Sequence, residues 1–166
     1  MNNKISSTVR VALLSIGLTA CSDYQARQLD DSAVIPANTI LNVSLTNSPQ
    51  LIPNQFPEVT LSVKRLVEME VSGVDIVGTI SVNTVTSRAN FTAESIIFEA
   101  NNIDQPLPFN GVILDSDNIT GMQVRCIKGQ VSRCGLYEFV NRQKEWSIET
   151  LETINLSGVT LMAKSS

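Results

Sequence analysis

Histidine is absent from this chain of 166 residues, and its absence removes much of the usual catalytic chemistry. Histidine is the most frequent general base, and it takes part in the usual serine triad and in most zinc sites. A serine nucleophile would need another base, most plausibly a lysine. The Ser-x-x-Lys spacing is also missing, because the residues three positions before the lysines are Met1, Leu61, Arg125, Asn141 and Leu161. We therefore expect a protein that is not an enzyme, with no catalytic residue and no cofactor.

Basic residues are too few and too scattered for a phosphate-binding surface. Lys and Arg number 12 against 16 Asp and Glu, which gives a net charge of -4. The pair Lys64 and Arg65 and the set Arg125, Lys128 and Arg133 are interpreted as solvated strand faces. Nucleic-acid binding depends on a concentrated basic patch, so we expect no nucleic-acid partner.

Long apolar runs are lacking too. The longest one near the start, residues 11–18, is about half of the roughly 20 residues that a spanning helix needs. It follows Lys4 and Arg10 and leads into small residues. A basic start, a short apolar run and small residues before a cleavage point are typical of a secretory signal peptide.

The residues that close this segment, Leu18-Thr19-Ala20-Cys21, resemble the lipobox of bacterial lipoproteins. The resemblance implies that residues 1–20 are removed and that Cys21 carries acyl chains in the membrane. An ordinary secretory signal followed by an incidental cysteine is the alternative. In that family an Asp directly after the cysteine favours inner-membrane retention. Ser22 stands there, which implies the outer membrane, facing the periplasm.

The mature chain then divides into two parts. Residues 21–36 hold the lipidated Cys21 and a mostly polar stretch without a sustained period, which predicts a tether, with a short helix as the alternative. Residues 37–166 form the predicted β domain, with no sign of a second domain or an internal repeat.

The three cysteines fit this location. If Cys21 carries lipid, Cys126 and Cys134 remain as a pair in an oxidising compartment. In an antiparallel hairpin turning at residues 129–131, Cys126 faces Cys134, which is close enough for a disulfide. A redox-active pair is the alternative, but the cysteines of such pairs usually have two residues between them and lie at the start of a helix. We predict a structural disulfide.

Apolar residues recur at every second position from Thr39 onward, as in half-buried antiparallel strands. Turn signals separate these runs, and the pattern predicts an all-β fold, either a sandwich or a small barrel. Residues 136–146 fit a strand slightly better than a helix. The alternating series are Leu41, Val43, Leu45; Val59, Leu61, Val63; Phe91, Ala93, Ser95, Ile97, which Ile96 and Phe98 interrupt; and Val159, Leu161, Ala163.

Oxygen ligands cluster at Asp115-Ser116-Asp117-Asn118. Such a cluster could suit calcium, but the glycine and distal glutamate of the helix-loop-helix site are missing. The interpretation that we favour is an Asx-rich turn between strands, so we predict no metal site.

Three segments resemble, in order, the periplasmic β-barrel domain in the outer-membrane core of type IV secretion and conjugation machines. Residues 35–40 (Ile-Pro-Ala-Asn-Thr-Ile) are similar to an apolar-Pro-x-Gly-Thr motif, with Asn38 in the glycine place. Residues 76–79 (Ile-Val-Gly-Thr) and 88–91 (Arg-Ala-Asn-Phe) are similar to a Gly step and an Arg-led strand. Residues 111–121 resemble a Gly, an apolar strand, an Asp-rich turn and a Gly.

The departures from that family limit what the resemblance implies. The family usually begins with a transmembrane helix and a Pro-rich linker, where this chain resembles a lipoprotein. It continues with an apolar helical hairpin that pierces the outer membrane, where residues 122–134 hold the cysteine pair. The resemblance therefore implies a lipid-anchored relative that packs around a secretion core, without a pore role or catalytic residues.

These observations predict a non-enzymatic structural or assembly subunit of an envelope machine, with protein partners and a membrane anchor. The alternative is a periplasmic lipoprotein that binds or inhibits one small protein.

Overall fold

The computed structural model describes residues 23–45, 49–127, 133–136 and 145–165. These residues form an all-β fold of antiparallel strands, as predicted. No helix long and apolar enough to cross a membrane occurs in these ranges. The strands are β1 (Tyr24–Gln28), β2 (Val34–Ile35), β3 (Ile40–Leu45), β4 (Glu58–Leu66), β5 (Met69–Ser72), β6 (Val74–Asn83), β7 (Arg88–Ala100), β8 (Ile103–Pro108), β9 (Gly111–Leu114), β10 (Met122–Ile127), β11 (Arg133–Leu136), β12 (Glu145–Thr150), β13 (Ile154–Asn155) and β14 (Thr160–Lys164).

The main sheet follows the order β1-β14-β5-β4-β6-β7-β10-β11. Strand β3 adds to β4, β12 to β3, β9 to β12 and β8 to β7, while β2 and β13 form a separate pair. All of these pairs are antiparallel, and the sheets do not close into a barrel. The sequence left a sandwich and a barrel open, and the structure excludes a closed barrel.

The predicted alternation is present in β3 and β4, whose alternate side chains enter the core. On β14, Leu161 is buried and Ala163 is partly buried. The core-facing residues of β3 and β4 are Leu41, Val43 and Leu45 with Val59, Leu61 and Val63.

Strand β7 contains a β-bulge that the alternation did not predict. Gly78 of β6 faces Ala93, whereas the preceding Val77 faces Ser95. Glu94 is therefore the extra residue on β7, and such a residue changes which side chains face the core.

The third predicted series, through Phe91, Ala93, Ser95 and Ile97, is consequently wrong beyond the bulge. Phe91 is buried before it, but Ile96 and Phe98 are buried after it, while Ile97 is only half-buried. The two residues that seemed to interrupt the series are in fact its core positions.

The segment expected to be a tether enters the fold from Tyr24 onward. β1 pairs with β14, and β2 pairs with β13. Ile35 is completely buried in the core. The folded domain thus includes residues 24–36, and this stretch holds strands where a tether or a helix was expected.

Gln105 ties β8 to β14 where the two sides of the sheet approach each other. Its side-chain Nε2 donates to Thr160 O at 2.8 Å, and Thr160 N donates to its Oε1 at 2.9 Å. Nε2 also lies 3.2 Å from Phe98 O. β5 ends before reaching Thr160, so the Gln105 amide takes the place of a backbone partner there.

The cysteine hairpin is confirmed. Cys126 faces Cys134 between β10 and β11, and the two form a disulfide. The predicted turn at residues 129–131 lies outside the described residues. So do residues 137–144, the centre of the segment interpreted as strand or helix.

Candidate interaction surface

The main sheet has two distinct ends, which can be located by the strands that pair with each end of β4. The Glu58–Ser62 part of β4 pairs with β6, whereas Arg65 and Leu66 pair with β5. β5 and the tip of the β6–β7 hairpin therefore lie at opposite ends of β4. We call the β5 end, where β1 begins and Lys164 contacts Glu70 at 2.7 Å, the N-terminal end.

We call the opposite end the loop end. It consists of residues 49–57, 84–87 and 115–121 together with the disulfide hairpin. β10 pairs with the first residues of β7 and then continues past them, so the hairpin projects at this end. Leu51 forms a bridge with Cys134, which fixes the 49–57 loop against the hairpin.

Among the described residues of the loop end, three large apolar side chains are exposed. Val85 is 92% exposed, Phe56 67% and Ile119 53%. Asn83 holds the β6–β7 turn in shape, because its Oδ1 accepts from Val85 N at 3.0 Å and from Thr86 N at 3.1 Å. Val85 is thus displayed by an ordered turn.

Asp115 is the buried charged residue at the base of this end, with 3% of its surface exposed. Its Oδ1 accepts from Ser116 N at 2.6 Å, and its Oδ2 accepts from Gln123 N at 2.7 Å. Arg88 Nη1 lies 3.9 Å from Oδ2 and donates to Gly121 O at 2.9 Å. A buried carboxylate is stable only when it is paired and hydrogen-bonded, and this one is.

Asp117 forms the outer half of the same network. Arg88 Nη2 donates to its Oδ2, and Ile119 N donates to its Oδ1 at 3.0 Å. The hydrogen bond from Arg88 lowers the pKa of Asp117 below its ordinary value. The loop is an Asx-rich turn, as interpreted from the sequence, since its carboxylates accept from N–H groups of the chain.

Next to this network lies an open cleft of about 570 Å³ between the β6–β7 turn and β10. Arg125, which is exposed, and Arg88 both line this cleft. The lining residues are Thr86, Ser87, Arg88, Gln123, Val124 and Arg125.

The structure also locates most of the cysteines and basic residues that the sequence singled out. Cys134 is buried and Cys126 is exposed at the loop end, while Cys21 lies outside the described residues. Lys64 contacts Glu145, and Arg65 faces Glu70 on the neighbouring strand, so both lie on solvated faces as interpreted. The Arg88 network has no local sequence signal, because the aspartates come 27 and 29 positions later.

Neither a comparison with protein-family models nor one with curated proteins found a match. The function therefore follows from the residues themselves and from their arrangement.

Proposed function

We propose that this protein is an outer-membrane lipoprotein, anchored through acyl chains on Cys21 and facing the periplasm. It serves as a non-enzymatic structural or assembly subunit of a cell-envelope complex of the type IV secretion or conjugation kind. The observation that carries the location is the Cys126–Cys134 disulfide. Disulfides persist in oxidising compartments, and this one leaves Cys21 as the only cysteine for the lipid.

The geometry of the three family-like segments supports the kind of complex. Asn38, in the glycine place of the first segment, has a φ of 63°, which is the left-handed region where glycine is favoured. Gly78 of the second lies at the bulge, where an added Cβ would overlap Thr92 O. Gly121 of the third has a φ of 89°, and its carbonyl accepts from Arg88 of the second.

A role in assembly is supported by the direction of the loop end. A lipid on Cys21 would hold the N-terminal end at the membrane, because only Ser22 and Asp23 separate Cys21 from β1. Two residues span at most roughly 7 Å, so the domain would lie against the bilayer. The loop end, with Val85, Phe56 and Ile119 exposed, would then face the periplasm and its proteins.

Native sizing of detergent-solubilised membranes tests the assembly role. The wild-type chain is expected in a particle far larger than the chain itself, whose mass is 18.1 kDa before residues 1–20 are removed. The Cys21→Ala variant, which cannot be acylated there, is expected to leave that particle. The Ser22→Ala variant is the matched control, because it changes the neighbouring residue and keeps the thiol.

A wild-type chain that migrates alone, near its own mass, would contradict the assembly role. It would favour the alternative, a lipoprotein that binds or inhibits one small periplasmic protein. A point variant that separates the two is Val85→Asp, since Val85 packs on no core residue. The Val85→Asp chain is expected to dissociate from the large particle while its attachment to the membrane stays unchanged.

A further inference from the structure

The outer edge of β1 is a sheet edge that the sequence does not block. Among the described residues, β14 is the only strand that pairs with β1. The β8 edge is different, because it carries Pro106 and Pro108. Proline has no N–H for a ladder, so it protects an edge against further pairing. β1 contains no proline, and its register with β14 has no bulge.

The direction of the backbone groups follows from the ladder with β14. Leu29 N donates to Val159 O at 2.8 Å, so Leu29 bonds towards β14. In an antiparallel pair, successive residues alternate between bonding towards the partner strand and away from it. The N–H and C=O groups of Ala26 and Gln28 therefore point away from β14. Both residues are exposed.

We propose that this edge pairs in antiparallel fashion with the same edge of a second copy of this chain, centred on Ala26. In that register the two Ala26 residues exchange two N–H···O bonds across the twofold axis. Gln28 then faces Tyr24 of the second copy, and Gln25 faces Arg27. The side chains at the axis are small, and no two like charges meet.

The charges favour this register over the adjacent one that is centred on Arg27. A register centred on Arg27 would place two guanidinium groups directly opposite each other, and like charges in that position are destabilising. The sequence of β1 is thus compatible with a twofold partner of its own kind.

The interface is small, and its strength rests on the lipid anchor proposed above. Five residues from each copy bury far less than the roughly 1,200 Å² of a stable complex. Because the pairing is antiparallel, the two Cys21 anchors lie at opposite ends of the paired strands, so both reach one membrane when β1 lies along its surface. Confinement in that orientation raises the effective concentration of the two copies, as a short tether does. The paired edge is therefore formed on the membrane and dissociates in dilute solution.

Oxidative cross-linking of the full chain in membranes tests the pairing. In the proposed register the Ala26 Cα atoms of the two copies are about 5.5 Å apart, which is within disulfide range. The Ala26→Cys variant is expected to give a covalent dimer at a yield about tenfold above the Thr92→Cys control, which is also exposed but lies within the sheet. Equal yields, or a product that contains a different protein, would overturn the proposal.

A pair of substitutions at the same residue gives an independent test without cysteine. Ala26→Pro removes the outward N–H and no bond to β14, whereas Ala26→Val keeps that N–H. Copurification of two differently tagged copies from membranes is expected to fall about tenfold in the proline variant only. Thermal unfolding of both variants checks the fold. Equal copurification from the proline and valine variants would contradict the pairing.

Fractionation separates failure of this inference from failure of the anchor. A chain that stays in the membrane fraction without cross-links contradicts only the edge pairing. A chain that leaves the membrane fraction contradicts the anchor. Cross-linking of the purified Ala26→Cys variant at about millimolar concentration, comparable with the effective concentration of a short linker, then decides the pairing by the same comparison with Thr92→Cys.

Discussion

At the scale of single residues, Asp115 shows how a buried charge is held in a small β domain. Its carboxylate accepts from two backbone N–H groups, and Arg88 supplies the opposite charge. Arg88 belongs to β7 and Asp115 follows β9, so Arg88 links this strand to the 115–121 loop through Asp115 and Asp117. This loop carries the exposed Ile119, and its order depends on a group that is itself buried.

Asp115→Asn is expected to destabilise the fold by about 2–3 kcal/mol, since the loss of a charged acceptor leaves the Gln123 N–H and Arg88 poorly satisfied. Asp104→Asn is the matched control on the exposed β8 edge, where a change within about 0.5 kcal/mol is expected. Urea denaturation of both variants measures the difference. Equal stability of the two variants would contradict the role given to Asp115.

At the scale of elements, periodicity predicted the core residues of β3 and β4 well, because the register shift between these strands, at Lys64 of β4, comes after Val63, the last residue of the predicted series. It failed within β7, where Glu94 shifts the register. The interruption at Ile96 was visible in the sequence. Its cause was not, because a bulge depends on the partner strand, here on Gly78, which allows Thr92 O to approach closely.

Gly78→Ala is expected to destabilise the domain by about 2–3 kcal/mol, since the new Cβ would overlap Thr92 O and force the strands apart. Gly135→Ala is the control, because an added Cβ there meets nothing within 4 Å. A change within about 0.5 kcal/mol is expected for it. If calorimetry finds the two substitutions equally tolerated, the close approach at the bulge is not needed for folding.

At the scale of the whole molecule, the sequence predicted one all-β domain and the disulfide hairpin, but placed the domain boundary too late. Residues 24–36 are polar enough to resemble a tether, and their strands form only because β13 and β14 come back to pair with them. Pairing between the two ends of a chain leaves no local pattern. The same applies to the ties between Arg88 and Asp115 and between Gln105 and Thr160.

Gln105 is predicted to hold the two sides of the sheet together. Gln105→Ala is expected to cost about 2 kcal/mol, because the Thr160 N–H and C=O lose their partner. Gln105→Glu is expected to cost more at neutral pH, since its carboxylate would face two carbonyl oxygens and could donate to neither. Gln25→Ala on exposed β1 is the control. Hydrogen exchange at Thr160 is the readout, and unchanged protection in both variants would contradict the tie.

The proposed location, the orientation of the loop end and the pairing of β1 on the membrane all depend on the lipid at Cys21. The most direct measurement is the intact mass of the mature protein extracted from membranes. We expect a chain that begins at Cys21 and carries the added mass of acyl chains, which the Cys21→Ala variant lacks. A mature chain that begins at another residue, or that carries no acyl mass, would contradict the proposed anchor.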